Sequence, residues 1–304
     1  IRATLDLSGV AGLSLPVSAD YVYIKQDENS VFEDDDITVQ GLNFSTKFAN
    51  WNSEADLYYL FMHDSSPLEN GGMSTLGTRG SAQPAEGCSV WGEFAWQFGT
   101  SPTDLEGVLS SGRRHQGWAA NLGLNHTLKD IAMTPNFGAE WRFYSGKDAD
   151  GAALGWRPIA PGYFTTAIRE FQARRATGGG FNSVTQVGVT SGQTNQHELG
   201  LFGGLKPIED LSVDTRVSWF VLSVPAIAPN NGVAGGGKRH SFVGTEWDTK
   251  FTYSYTDDVQ FGFLYGLFLP GSVFRDAGGA TGTSAAISGD NVAQQLVSTV
   301  SVKF

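Results

Sequence analysis

Charged side chains occur at every second position in several stretches of the sequence, with apolar side chains between them. In one stretch Glu246, Asp248 and Lys250 alternate with Trp247 and Thr249. Because successive side chains of a β-strand point to opposite faces, this spacing puts the charges together on one face. Charges arranged in this way pair with one another or attract and repel passing ions, which is the chemistry of a selective wall.

The charged positions of these alternating stretches form a predicted inward set, which lines the interior of a β-structure. One hypothesis is a constriction that selects solutes by charge; the other is a hydrated lattice of salt bridges that braces the wall, and both stay open. The set consists of Lys47, Glu54, Asp56, Glu93, Glu140, Arg142, Glu198, Lys206, Asp214, Arg216, Glu246, Asp248, Lys250 and Lys303.

Residue types used in catalysis and metal binding are present, but their spacing does not fit either use. His63, Asp64 and Ser65 are adjacent, and adjacent residues cannot form the hydrogen-bonded relay that activates a nucleophile. The five histidines show no metal-ligand spacing, and Cys88 is the single cysteine, which excludes an internal disulfide. The sequence therefore predicts no enzyme, no metal centre and no cofactor.

Two acidic segments have the composition of cation sites. Asp148, Asp150 and Gly151 match part of a calcium-binding loop, but the spacing is too incomplete for an EF-hand and favours a plain turn. The run EDDD at residues 33–36 is compatible with divalent cations or with ions that bridge lipopolysaccharide. A solvated loop is the favoured interpretation of that run.

Short amphipathic strands are the elements that must position the inward charges. Charged residues make up only 17% of the chain, and no run of about 18 apolar residues is present to form a membrane-spanning helix. The net charge of −11 argues against nucleic acid as a partner. Thirteen stretches alternate with period two: residues 2–9, 17–26, 37–48, 54–62, 75–81, 88–98, 113–126, 136–144, 197–206, 211–222, 242–255, 259–269 and 293–304.

This pattern predicts an all-β fold, a transmembrane antiparallel up-and-down β-barrel. A packed soluble core would not tolerate the charged second face, and a membrane protein without helices must close its sheet. Short connections (ANWN, PIED, TDD) alternate with long ones, as in outer-membrane barrels with short periplasmic turns. If the C-terminus is periplasmic, thirteen strands put Ile1 on the extracellular side, whereas both termini of such barrels normally lie in the periplasm. We therefore expect further strands upstream of Ile1 and about 14–18 strands in the complete barrel. Residues 1–304 are predicted to form a single barrel domain.

The longest connection covers residues 146–195 and includes a GGG stretch and a predicted short helix over 167–173. Loops of this length in compact domains are usually functional or disordered. One hypothesis is that the segment folds over or into the mouth of the barrel and narrows it, with Arg169, Arg174 and Arg175 as its basic contribution. A mobile surface loop is the alternative.

Five stretches resemble the alginate export family of outer-membrane barrels: MSTLGTRG, GEFAWQFG, WRFYSGKDADG, ELGLFGGLKPIEDLSVDTRVSWF and GTEWDTKFTYSYTDDVQFGFLYGLFLPGSVF. The similarity spans residues 36–304, and the final Phe304 is similar to the terminal aromatic that serves such barrels as an assembly signal. The resemblance implies an 18-stranded monomeric barrel, hence about five strands upstream of Ile1. The alginate exporter itself has a strongly basic lumen, whereas the inward set here carries both signs.

Together these features predict a porin or channel for passive passage of small or extended polar solutes, with anionic saccharides as one class. The alternative is a structural barrel scaffold that sheathes or anchors a partner protein, bound at the loops or in the lumen. The predicted location is the bacterial cell outer membrane, in contact with its lipid and lipopolysaccharide. The identity of the solute, the direction of transport and the oligomeric state stay open.

Overall fold

The fold is seen in a computed structural model of the 304-residue chain. It describes residues 1–8, 16–27, 37–64, 71–101, 113–146, 155–159, 165–169, 194–227, 239–275 and 291–303.

Thirteen β-strands account for most of the described residues, as the period-two pattern predicts. Their bounds are β1 Arg2–Asp6, β2 Val17–Asp27, β3 Ile37–Phe48, β4 Ser53–Asp64, β5 Gly71–Ala85, β6 Cys88–Ser101, β7 Arg113–Thr127, β8 Asn136–Tyr144, β9 Gln196–Ile208, β10 Leu211–Ile227, β11 Arg239–Ser254, β12 Val259–Pro270 and β13 Ala293–Val302. One short helix, α1 (Ser272–Arg275), follows β12. No helix among the described residues has the length and apolar character needed to cross a membrane.

All thirteen strands belong to one sheet, in which each strand pairs antiparallel with its neighbours in sequence. The order therefore runs from β1 to β13 without a crossover, which confirms the predicted up-and-down topology. Within the described part of the chain, β1 and β13 are the two edges and do not pair with each other.

The two-residue and four-residue connections all lie at one end of the sheet, together with the ten-residue β1–β2 and eight-residue β7–β8 connections, and the longest connections lie at the other end. The turn between β3 and β4 is a 3₁₀ turn over Asn50–Asn52, in which Trp51 has a φ of 57°. β9 and β10 are joined by two residues, 209–210. The last strand ends at this same end, where the Lys303 amide donates to the Asp258 carbonyl. Chain reversal by short turns explains why ANWN, PIED and TDD separate strands that pair directly.

The two faces of the sheet differ in chemistry. The apolar face carries large hydrophobic side chains that no other part of the sheet covers; Leu201 is 49% exposed and Val300 is 66% exposed. The polar face carries the charged side chains, of which Glu140 and Glu246 are buried. This inversion, with exposed hydrophobic and buried charged side chains, is the reverse of a water-soluble fold and fits a strand wall between lipid and a polar interior.

Two details differ from strict alternation. Counting by twos places Val243 on the face of Trp247, but a β-bulge at Phe242–Gly244 turns Val243 to the polar face, where it is fully buried. It packs there in an apolar cluster with Phe220, Leu222 and neighbours. The fifth strand extends over Gly71–Ala85 instead of the predicted 75–81, because residues 71–74 (GGMS) and 82–85 (AQPA) pair with the neighbouring strands without contributing to a hydrophobic pattern.

Candidate functional site

The predicted inward set lies on strands β3 to β11 and just after β13. Eight of its members have contacts that place them on the polar face: Asp56, Glu93, Glu140, Arg142, Glu198, Arg216, Glu246 and Asp248. That these residues line a pore remains a prediction.

Four charged residues of β8, β9 and β10 form a compact group, which we call the four-charge cluster: Glu140, Arg142, Glu198 and Arg216. The Arg216 guanidinium lies 2.8 Å from a carboxylate oxygen of Glu198 and 3.0 Å from one of Glu140. Arg142 lies 3.0 Å from Glu140 and 3.8 Å from Glu198. Two negative and two positive charges thus compensate one another on neighbouring strands.

The four-charge cluster is almost completely buried. The Glu198 side chain has no exposed surface, and those of Arg142 and Glu140 are 6% and 7% exposed. The Ser218 hydroxyl donates to Glu198, and Arg142 donates to the Thr165 hydroxyl. A charge that is withdrawn from water needs such partners, and here each charged group has more than one.

A second polar group lies on β3 to β6. Arg79 donates to Asp56 over 2.7 Å, Asn43 donates to the other oxygen of Asp56, and the Tyr58 hydroxyl donates to Glu93 over 2.6 Å. Arg79 was not in the predicted inward set, because its strand has many small residues and only one charge. The sequence signal that could have placed Arg79 on the polar face is its spacing of two residues from Gly77 on the same strand.

Part of the long 146–195 connection lies against the polar face. Residues 165–169 donate three successive backbone amides to β11: Ala167 to Asp248, Ile168 to one oxygen of Glu246 over 2.5 Å, and Arg169 to the other over 2.8 Å. Ile168 also packs in the apolar cluster of Val243. Two of the three alternating charged residues of β11, Glu246 and Asp248, therefore hold a segment of the long connection.

Residues 155–159 contact the polar face at a second place. The Gln97 side chain accepts from the Arg157 amide and donates to the Arg157 carbonyl, over 2.9 and 2.7 Å. His115 Nε2 lies 3.0 Å from the same Gln97 oxygen. Gln97 and His115 were missed from sequence because they are isolated polar residues in strands with strong aromatic patterns.

Two cavities flank the docked segment. The Trp91 cavity, of about 480 Å³, is lined by Trp91, Asn121, Glu140, Phe202 and Arg216 among others. The Lys250 cavity, of about 510 Å³, is lined by Asp214, Lys250 and Thr299 on the strands. Thr165, Phe202 and Arg216 border both cavities.

Several predicted residues form no ion pair with any described residue. Among them, Asp214 and Lys250 occupy directly opposed positions of β10 and β11, and Asp214 lies two residues from Arg216 of the four-charge cluster. Charges of this kind are available to act on ions or solutes. These residues are Lys47, Glu54, Glu93, Lys206, Asp214, Lys250 and Lys303.

Some predicted positions fall outside the described residues. These are Arg174 and Arg175, the acidic run 33–36, the segment 148–151 and Ser65. Arg169 is described and is 5% exposed. Among the described residues, no group of three or more His, Cys, Asp and Glu side chains is arranged to hold a metal ion.

An antiparallel up-and-down sheet with one lipid-compatible face and one charged face defines an outer-membrane β-barrel protein of the porin class. The chain belongs to the alginate export family, whose model, described as alginate export, matches residues 25–288. The protein is accordingly located in the bacterial outer membrane.

Similar solved structures are distant in sequence. The NanC porin is 11% identical, with 88% of this chain and 94% of that chain covered and a TM-score of 0.35. OccK11 (OpdR) of Pseudomonas aeruginosa is 12% identical, with 88% and 65% covered and a TM-score of 0.43. The siderophore receptor PirA of Acinetobacter baumannii is 12% identical, with 98% and 46% covered and a TM-score of 0.39. No curated protein sequence matches the chain.

Proposed function

We propose that the polar face lines a channel through which small or extended polar solutes pass passively across the outer membrane. The observation that carries this proposal is the pair of cavities on the polar face beside residues 165–169. A wall that served only to fill a barrel with side chains would not leave two spaces of about 500 Å³ bordered by charged groups.

In this proposal residues 165–169 narrow the channel. Their backbone is held by Glu246 and Asp248, so the segment stands inward from β11 and borders both cavities through Thr165. Arg169 adds a basic group near the narrow region. Arg174 and Arg175, a few residues further on, are proposed to extend this basic contribution.

Selection by charge would depend on the residues outside the four-charge cluster. The four clustered charges cancel, so they contribute little field at a distance. Asp214 and Lys250, at opposed positions beside the Lys250 cavity, are exposed and of opposite sign. We therefore expect weak selectivity between small ions. The family description makes an anionic saccharide the first larger solute to test.

The test is single-channel conductance of the purified full-length protein in planar bilayers, with reversal potentials and added saccharides. We expect stable open steps that an oligosaccharide interrupts reversibly. Lys250→Gln and Asp214→Asn form a matched pair, and they should move the reversal potential in opposite directions because they remove opposite charges. A correctly folded protein without open steps would contradict the channel and favour a barrel scaffold filled by a partner.

A further inference from the structure

One row of residues on the polar face runs in register across six strands, from β8 to β13. Each residue of the row is directly opposed to the next in the strand pairing. Along this line the chemistry changes from an amide through a carboxylate and an ammonium group to two apolar side chains. The row consists of Asn136, Gly204, Asp214, Lys250, Leu264 and Val297.

The Lys250 cavity lies over this row. Every member of the row except Gly204 lines the cavity, and residues 165–167 of the docked segment border it as well. Gly262 widens the cavity floor beside the row, and only the Thr299 hydroxyl extends over that glycine. The volume of about 510 Å³ is in the range of sites that hold small organic molecules.

The charged residues that line the Lys250 cavity differ in what they already bind. Arg216 is paired within the four-charge cluster, and Asp248 accepts a hydrogen bond from residues 165–169. Asp214 and Lys250 are exposed and form no ion pair with any described residue. One carboxylate and one ammonium group are therefore accessible to a ligand in the cavity.

Asp214 and Lys250 do not neutralise each other, although their strand positions are opposed. Opposed side chains of an antiparallel pair have Cβ atoms about 4.5–5.5 Å apart, which is close enough for a salt bridge. Asp214 instead extends away from β11, because a Cβ atom added at Gly204 of β9 would meet its carboxylate oxygen. The two charges thus stay separate on the cavity floor.

The separation of the two charges determines which ligand chemistry fits. A simple anion is attracted by Lys250 but repelled by Asp214, and a simple cation experiences the reverse. A ligand with both charges a few ångströms apart is attracted by both residues. Leu264 and Val297 continue the row, are partly exposed, and offer a surface on which an apolar group is withdrawn from water. An α-amino acid with an apolar side chain carries all three groups on one carbon atom.

We propose that the Lys250 cavity binds free α-amino acids with apolar side chains, in their zwitterionic form. The ammonium group of the ligand donates to the Asp214 carboxylate, and its carboxylate accepts from the Lys250 ammonium group. The side chain of the ligand lies against Leu264 and Val297. This inference rests on the proposed channel, which is the route by which the solute reaches the cavity.

Opposed charges of opposite sign also stabilise a sheet, and the chain offers a matched pair for comparison. Lys47 of β3 is directly opposed to Glu54 of β4, and both side chains are exposed. Neither residue lines the Lys250 cavity. Lys47→Gln is therefore the control for Lys250→Gln, and Glu54→Gln is the control for Asp214→Asn.

The experiment titrates the full-length protein in a nonionic detergent with three probes, followed by saturation-transfer NMR. The probes are L-leucine, isoamylamine, which keeps only the ammonium group, and isocaproate, which keeps only the carboxylate. We expect L-leucine to bind about tenfold more tightly than either single-charge probe. Asp214→Asn should weaken L-leucine and isoamylamine by about tenfold without weakening isocaproate, and Lys250→Gln should weaken L-leucine and isocaproate without weakening isoamylamine.

The control variants and the apolar end of the row complete the test. Lys47→Gln and Glu54→Gln should leave binding of every probe within about twofold of the unsubstituted protein. Val297→Thr, which keeps the shape of the side chain, should lower the preference for L-leucine over free glycine by about threefold. Equal binding of the three probes, equal losses in the control variants, or an unchanged preference in Val297→Thr would overturn the site.

Binding in detergent does not depend on ion conduction, so the failure of this inference is distinguishable from the failure of the proposed channel. Stable open steps in bilayers without the charge-specific losses of binding would refute the amino-acid site alone. Absence of open steps in folded protein would refute the channel, while the charge-specific losses in detergent would still support the site. Asp214→Ser replaces Asp214→Asn if that variant does not fold.

Discussion

At the scale of single residues, the charges of the polar face divide into two groups. Alternation predicts that they share a face, but the sequence does not decide between a charge-selecting constriction and a lattice of salt bridges. Glu140, Arg142, Glu198 and Arg216 form a compensated, buried lattice. Asp214 and Lys250 form no ion pair with a described residue. The contacts of the first group match the lattice hypothesis, and selection by charge at the second group stays a proposal.

Removal of Arg216 should destabilise the protein. In Arg216→Met the fully buried Glu198 carboxylate loses its 2.8 Å partner, and uncompensated buried charges are costly. We expect the free energy of unfolding to fall by about 3 kcal/mol or more, measured by urea unfolding in lipid vesicles. Lys250→Met, at an exposed position of the same face, is the control and should change it by less than about 1 kcal/mol. A similar loss of unfolding free energy in both variants would contradict a stabilising role of the four-charge cluster.

At the scale of elements, the contact between β11 and residues 165–169 is the main feature that the alternation of side chains along the strands does not predict. The Glu246 carboxylate accepts hydrogen bonds from two successive backbone amides of this segment. Because these bonds go to the backbone, they do not depend on which side chains the segment carries. The bulge at Phe242–Gly244 contributes as well, because it turns Val243 inward to meet Ile168. One polar and one apolar contact thus attach the segment to the same strand.

Glu246→Gln should loosen residues 165–169. The amide nitrogen of glutamine cannot accept the Arg169 N–H bond, so one charge-assisted hydrogen bond is lost and the other is weakened. We expect trypsin to cleave after Arg169 about tenfold faster, with the site mapped by mass spectrometry. Glu54→Gln removes an exposed carboxylate of the polar face and serves as the control. Equal cleavage rates in the two variants would mean that Glu246 does not hold the segment.

Val243→Ala tests the direction of the bulge. Val243 is fully buried in the apolar cluster, so the loss of two methyl groups should lower the free energy of unfolding by about 1–2 kcal/mol. Val221→Ala on the apolar face, where the side chain is 36% exposed, should cost less in detergent micelles. The comparison is made by equilibrium unfolding of both variants. A larger loss at Val221 would contradict the inward position of Val243.

At the scale of the whole molecule, the two faces of the sheet face two solvents. The apolar face presents large, exposed hydrophobic side chains, while the polar face buries charged groups. Lipid satisfies the first face, and mutual pairing together with a polar interior satisfies the second. A charged residue introduced on the apolar face of a strand should therefore destabilise the protein, whereas the same residue on the polar face should be tolerated.

Adjacent residues of β3 provide that comparison. Phe44 is on the apolar face and 41% exposed, whereas Ser45 is on the polar face, where its hydroxyl lies 2.9 Å from that of Ser18. Phe44→Arg should lower the free energy of unfolding in lipid vesicles by about 2–4 kcal/mol, since it puts a charge on the lipid-facing side of the wall. Ser45→Arg should change it by about 1 kcal/mol or less. The reverse order would show that the faces have been assigned incorrectly.

The sequence alone was sufficient for the thirteen strands and their up-and-down topology. These follow from local rules, because side-chain alternation has a fixed period and short turns force neighbouring strands to pair. Strict counting failed where a bulge inserts a residue, as at Val243. It also underestimated β5, whose ends GGMS and AQPA pair with the neighbouring strands but give no hydrophobic pattern.

Only the tertiary structure decided which charges meet. Glu140 and Arg216 are separated by two strand boundaries and a long connection, and their 3.0 Å contact depends on strand register and rotamers that no spacing encodes. The same holds for the docking of Ile168 on Glu246 and for Trp91 beside Phe202. The physical reason is that periodicity determines the direction of a side chain, whereas its partners depend on how distant segments are brought together.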